Sequence, residues 1–328
     1  MSGGDDGAYC LPASVVAQGV HWTTLYRAIR RTEEFIHSQK SLTMAGHVYH
    51  HFVPRFFLRG WTTNHRLTRF EWVRGSLDVR EVSIKRIAGR EHLYALRHVP
   101  NDPQFVEREF MGPFIDDPAA SVYHRMVGPP SKLSNVQRSI WTRFLMSLRV
   151  RTPEVIDRLR VEAADDLRQR LMEQPDEYEA LRGPNDPATL FDFMEQHRPG
   201  FVADFGIRML PDLMNHAPIA RTIFQMYWWS QRFDGATVDL LTSDRPLIVT
   251  PALNDPRCVI ALPLTPRLAF FAAHSLEVAK RVATTPASRL ARALNHDTVR
   301  LADKQVYGFN ARQTEFVRRR FPMPDADA

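Results

Sequence analysis

The chain has 328 residues, 44% hydrophobic and 24% charged, the balance of a folded globular protein, which excludes disorder for most of its length. Lys and Arg outnumber Asp and Glu by 43 to 37, almost all of the cations being Arg, so anionic partners such as phosphates or nucleic acid are favoured. Cys10 and Cys258 stand far apart with no zinc-type spacing, and no run of 18 apolar residues exists, which excludes a disulfide framework and a spanning helix.

Residues 1–43 differ in character from the rest of the chain. They begin Gly- and Asp-rich, without a basic region ahead of an apolar core, so the start does not read as a signal peptide and a cytoplasmic location is expected. Leu25, Ile29 and Phe35 then mark a short amphipathic helix. We read 1–43 as an extension, either an over-long gene start or a docked helix, and 44–328 as a single main domain.

The segment HVYHHFVPRFFLRGW, residues 47–61, carries His47, His50, His51, Arg55 and Arg59 among aromatics. Pro54 disfavours helix before it and favours a first turn after it. Two runs come next, Leu67, Phe70, Trp72 and Leu77, Val79, Val82, flanking a Gly75-Ser76 turn, which predicts a β-hairpin. Around Phe105, Phe110 and Phe114 the period becomes helical, with breaks expected near Pro113 and Pro118.

The clearest helix runs from the Ser134 cap, with Ile140, Phe144 and Leu148 on one face. Another starts at Thr152-Pro153, and a further one is expected over 201–217. Short β-rich runs come after it: RTIFQMYWWSQRF, ATVDLLTSD, PLIVTP, CVIALPL and RLAFFAAH. A helix at 286–299 and the strand KQVYGFN end the pattern. The fold class is therefore α+β, an N-terminal β-hairpin and a C-terminal antiparallel or mixed sheet around a central helical region.

Signatures for P-loop, Rossmann, α/β-hydrolase and zincin chemistry are absent, so no cofactor is named and a metal requirement stays open. Several residues remain as candidate site groups. His51 offers an acid/base near neutral pH, against a half-buried imidazole bonded to backbone. Arg55 offers charge stabilisation, against a structural ion pair. Arg149 and Arg151 stand at a helix junction where they would meet an anion or simply close the first helix. Asp244, with Ser243, follows an apolar strand and would orient His51, bind a metal or serve the turn. Glu107 and Asp116 are carboxylates for which a partnership with Arg149 or Arg151 is open.

These residues, taken in order, resemble the domain-of-unknown-function 4238 family of bacteria: HFVPRFFLRGW, VEREF…IDD, RTP, SDRP and ALPLTP fall in its order over about residues 47–310. Asp116 departs from it, standing where a Glu is expected. The resemblance implies a single domain and promotes His51, Arg55, Glu107, Arg151 and Asp244 to one set, as a polar pocket or as a scaffold network. The leading expectation is an intracellular enzyme acting on a phosphorylated or nucleic-acid substrate, with His51 as acid/base, Arg55 and Arg151 as anion clamps and Asp244 as orienter. The alternatives are a non-catalytic polyanion-binding module using the arginines with exposed Trp228 and Trp229, and a structural protein whose polar set is an ion-pair network.

Overall fold

The computed structural model describes residues 48–99, 102–173 and 176–323. Cys10, His47 and the expected helix within 1–43 lie outside the described residues. The fold is α+β, and the chain divides into two compact units, each assembled from separated segments. The first unit takes Met1–His50, Glu91–Gly112 and Pro153–Leu213; the second takes His51–Arg90, Pro113–Thr152 and Met214–Ala328.

The first unit is helical. Its main element is α4 (Pro153–Met172), begun by the proline whose missing amide costs nothing at a helix start. Short helices come next: α5 (Asp176–Leu181), α6 (Leu190–His197), α7 (Phe205–Arg208) and α8 (Leu210–Met214). The single helix expected over 201–217 is thus two short pieces. Gly206 lets α7 lie directly against α4, since a Cβ there would overlap the Leu159 carbonyl. The irregular segment after Glu91 is held by side chains: Arg160 donates to the carbonyls of Leu93 (3.1 Å) and Ala95 (2.8 Å), and buried Asp204 accepts the amides of Arg97 and His98, both at 2.9 Å. Backbone groups without a ladder are satisfied in this way.

In the second unit, Pro54 caps α1 (Arg55–Arg59), which buries Phe56, Phe57 and Leu58 and turns its two arginines outward. The hairpin β2 (Arg66–Val73) and β3 (Ser76–Ser83) comes after it, with Leu67 opposite Val82, Phe70 opposite Val79 and Trp72 opposite Leu77. Its two-residue turn is Arg74-Gly75, both at positive φ (48° and 76°), one residue earlier than Gly75-Ser76, because the right-handed strand twist suits a turn with two left-handed residues. A short pair joins β1 (Tyr49–His51) to β4 (Gly89–Glu91). A π-helix (Val106–Asp116), of which the part from Pro113 on belongs to this unit, carries Pro113 within it and runs straight into α2 (Asp117–Val127), so the expected breaks at Pro113 and Pro118 do not occur. Pro118 sits in the first turn of α2, where a proline is tolerated.

Helix α3 (Asn135–Val150) starts at Ser134 with a full capping box: the Ser134 hydroxyl accepts the Gln137 amide and the Gln137 side chain accepts the Ser134 amide. Its buried face is centred on Trp141, Phe144, Leu145 and Leu148, with Ile140 at the margin, and Trp141 meets Phe144 and Phe270 ring to ring. The RTIFQ part of the expected strand run belongs to helix α9 (Ala217–Gln225), and only β5 (Tyr227–Arg232) is strand. The chain continues through β6 (Thr242–Ser243), β7 (Ile248–Thr250), β8 (Val259–Thr265), β9 (Leu268–Ala273), α10 (Leu276–Ala283), α11 (Ala287–Leu301), β10 (Gln305–Gly308) and α12 (Thr314–Arg318).

The strands form two antiparallel four-stranded sheets, in the orders β3-β2-β10-β6 and β5-β9-β8-β7. Every residue of β9 is buried, as an inner strand with both faces covered requires. Pro263 lies within β8 where the register shifts, the place at which a strand proline is tolerated. Phe70, Leu241, Val299, Val306, Val317 and Phe321 form a core that joins the first sheet to α11 and α12.

Replacing Gly206 by Ala sets a methyl against backbone that has little room to move. We expect a loss of roughly 2–3 kcal/mol, the upper part of the usual overpacking range, measured by urea unfolding. Wild-type stability in Gly206→Ala would show that the α4–α7 approach is looser than the structure has it.

Candidate functional site

Of the candidate groups, the structure joins Arg151 to Asp116 and to the backbone of His51. Arg151 is the C-cap of α3 and fully buried, with its amide donating to Ser147 O at 3.0 Å. Its guanidinium donates to both carboxylate oxygens of Asp116, at 2.7 and 3.0 Å, and to the backbone carbonyl of His51 at 2.8 Å. The planar fork of Arg matches a carboxylate two bonds at a time, a geometry Lys lacks. The partnership left open for Asp116 is therefore made, and by Arg151. As an anion clamp for a substrate Arg151 is poorly placed, since it is buried and its guanidinium is engaged with the protein's own carboxylate and carbonyl.

Asp244 follows β6 and is buried. Its amide donates to Gln305 O at 3.0 Å, and its carboxylate accepts the amides of Asp303 (2.9 Å), Lys304 (2.6 Å) and Gln305 (2.9 Å). These bonds extend the β6–β10 pairing beyond the strand. The turn role falls instead to Ser243, whose hydroxyl accepts the Arg245 amide at 3.2 Å. Asp244 thus spends its oxygens on backbone rather than on an imidazole. Burial pushes its carboxyl up to about 7, against the pull of the three amides and helped by the neighbouring Asp303 charge.

His51 is half-buried at the end of β1, and its backbone carbonyl is what Arg151 holds. His50 is fully buried in the first unit, with Nδ1 accepting the Tyr94 amide at 3.0 Å and its ring stacked on Tyr94. Glu107 is half-buried in the π-helix, in the part of it that belongs to the first unit. Arg149 lies beside the buried Cys258, whose thiol burial pushes up to about 11 while the guanidinium opposes the shift. Among the described residues no group of three or more His, Cys, Asp or Glu is arranged to hold a metal ion.

Arg55 stands apart, exposed on α1 with no side-chain partner among the described residues. Arg59 shares its face one turn on. Helix α1 packs against the 3₁₀ turn Ile84–Arg86, where Ile84 is buried, with Ile87 just beyond it, while Lys85 and Arg86 point out. None of these four cations has a side-chain acceptor among the described residues. Arg66, at the adjoining strand end opposite Ser83, is also exposed, and its guanidinium donates to the Glu81 backbone carbonyl. Of these cations only Arg55 stood among the candidate site groups of the sequence, although the apolar-basic-basic-apolar order of Ile84 to Ile87 is a legible signal of an outward basic turn.

The tryptophans expected to be exposed are packed. Trp228 donates its indole N–H to Ile223 O at 2.9 Å beneath the Arg138 guanidinium, 4.0 Å from the ring centroid, and Trp229 stacks on Phe271. Each is half-buried, because β5 lays them against β9 and α9.

The raised Asp244 carboxyl has a signed consequence. The folded state binds its proton more tightly than the unfolded chain does, so the stability it adds is full below about pH 4 and declines as pH rises toward 7. Urea midpoints of wild type and Asp244→Asn at pH 5 and pH 8 should therefore show the wild type losing more stability over that interval. An equal loss in both would contradict the shift.

Neither a curated protein nor a solved structure matches the chain. No described helix is long and apolar enough to cross a membrane. The family described as "Protein of unknown function (DUF4238)" matches residues 49–312, from the first strand to the turn after the last, and the chain belongs to that family.

Proposed function

We propose that the protein binds an extended polyanion, nucleic acid in the first instance, through the basic face of the second unit, without itself carrying out chemistry on it. The observation that carries this reading is that Arg55, Arg59, Lys85 and Arg86 stand exposed on two contacting elements with no acceptor for any of them among the described residues. Surface cations are ordinarily distributed among acids, as elsewhere here in Arg80–Asp78, Arg108–Asp102 and Arg257–Asp255. Four left together create a field that draws phosphates. The net charge of +6 acts in the same direction.

The enzyme reading has less support. Of His51, Arg55, Arg151 and Asp244, only Arg55 has a side chain both exposed and uncommitted, while Arg151 and Asp244 are held in bonds that serve the fold. A reducing intracellular compartment suits the polyanion reading, and the buried free thiol of Cys258 is compatible with it.

The test is binding of a labelled single-stranded oligonucleotide as a function of salt. With four phosphates neutralised, the logarithm of the association constant should fall against log salt with a slope of about −3. Serine at Arg55, Arg59, Lys85 or Arg86 should weaken binding alike for different sequences and flatten the slope by roughly one per cation removed. A salt-independent affinity, or one that the combined Arg55→Ser/Arg59→Ser/Lys85→Ser/Arg86→Ser variant retains, would remove the proposal.

A further inference from the structure

The geometry points to a second site, in the first unit: a pocket for a small organic anion with a flat apolar body, of the aryl phosphate or aryl carboxylate class. It is an open pocket of about 510 Å³ where the Arg97-His98 segment meets α4, α6 and the turn before α7. That volume is in the range of small-molecule sites. It is separate from the basic face and shares no residue with it.

Three side chains give the pocket its polar rim. His98 is about half exposed, and its Nδ1 lies 3.4 Å from Oδ1 of Asp204. Asp204 is only 1% exposed and already accepts the amides of Arg97 and His98. One buried carboxylate therefore fixes both the backbone and the ring of His98. Beneath the ring is Gly200, at φ +73°, where a Cβ would overlap the Cβ and Cγ of His98. Glycine is needed there for the left-handed conformation and for the space.

Two guanidinium groups complete the rim. Arg97 is exposed with no side-chain partner among the described residues. Arg168 is steadied by Asp165 at 2.7 Å and lies over the Phe191 ring, 5.9 Å from its centroid. The walls are apolar, formed by Phe191, Pro199, Val202 and Ala203. Glu195 also lines the pocket, with Oε2 accepting the Gly200 amide at 3.3 Å. Its negative charge turns an anion away from that end and toward Arg97 and Arg168. An aryl group can lie along the Phe191 wall while its charged group takes the guanidinium donors.

The experiment is isothermal titration of the full chain with phenyl phosphate and with benzoate. Saturable one-to-one binding of at least one of them is expected. Arg97→Ala and Arg168→Ala should each weaken it about tenfold, ~1.4 kcal/mol, at an unchanged melting temperature. Arg97 is exposed and without a side-chain partner among the described residues, so its truncation tests the pocket without touching the fold. The Arg55→Ser/Arg59→Ser/Lys85→Ser/Arg86→Ser variant should bind as wild type does, which separates this pocket from the basic face. Absence of saturable binding of either probe would overturn the site, as would binding that survives both pocket substitutions or vanishes with the basic-face variant.

Discussion

The second unit depends on one buried guanidinium. Arg151 has lost its water, and a charge in that position is tolerable only if its donors are met by strong acceptors in good geometry. Both oxygens of Asp116 and the carbonyl of His51 supply that geometry. The placement has a topological meaning. The second unit is entered at His51, re-entered at Pro113 and left after Thr152. Residues 51, 116 and 151, all held together at this point, sit at or within three positions of those crossings. A unit built from discontinuous segments has to close long loops, and a rigid bidentate contact at the segment ends offsets that entropy where it arises.

The same device recurs with other chemistry. Asp244 joins the end of β6 to the start of β10 through three amides some sixty residues away. Asn295, fully buried on α11, donates to the Asp239 carbonyl and to Gln313 and accepts the Leu241 amide, while Arg267 pairs with Asp239 at 2.8 Å. The long connection between β5 and β6 is thereby pinned by side chains rather than by strand pairing. Polar residues that look available for chemistry in the sequence thus divide in two. The buried ones hold irregular backbone in place, and the exposed cations of α1 and its neighbouring turn face solvent.

Local structure was largely legible in the sequence. The hairpin followed from apolar alternation, and its six named residues face one another in three pairs. Ser134 announced α3, and Pro54 and Pro153 announced the starts of α1 and α4. Other features depended on tertiary context. RTIFQ satisfies helix and strand patterns equally, and packing against α3 settles it as helix. The period around Phe110 and Phe114 announced a helix there, but not that it would run through Pro113 with π geometry. The division of the strands into two sheets depends on which neighbour β10 chooses. The family motifs gathered these residues into one list, but sequence order carries no information on which will meet. Asp116 found Arg151 across 35 residues, and Asp204 found His98 across 106.

The Arg151–Asp116 pair is a structural clamp. A double-mutant cycle with Arg151→Ala, Asp116→Ala and the double variant, read by urea unfolding, tests it most directly. Arg151→Ala should cost roughly 3–5 kcal/mol by leaving the part-buried Asp116 carboxylate without its partner. The two changes should be strongly non-additive, with a coupling of at least about 1.5 kcal/mol. Additive effects, or wild-type stability in Arg151→Ala, would contradict it and return Arg151 to the search for a ligand.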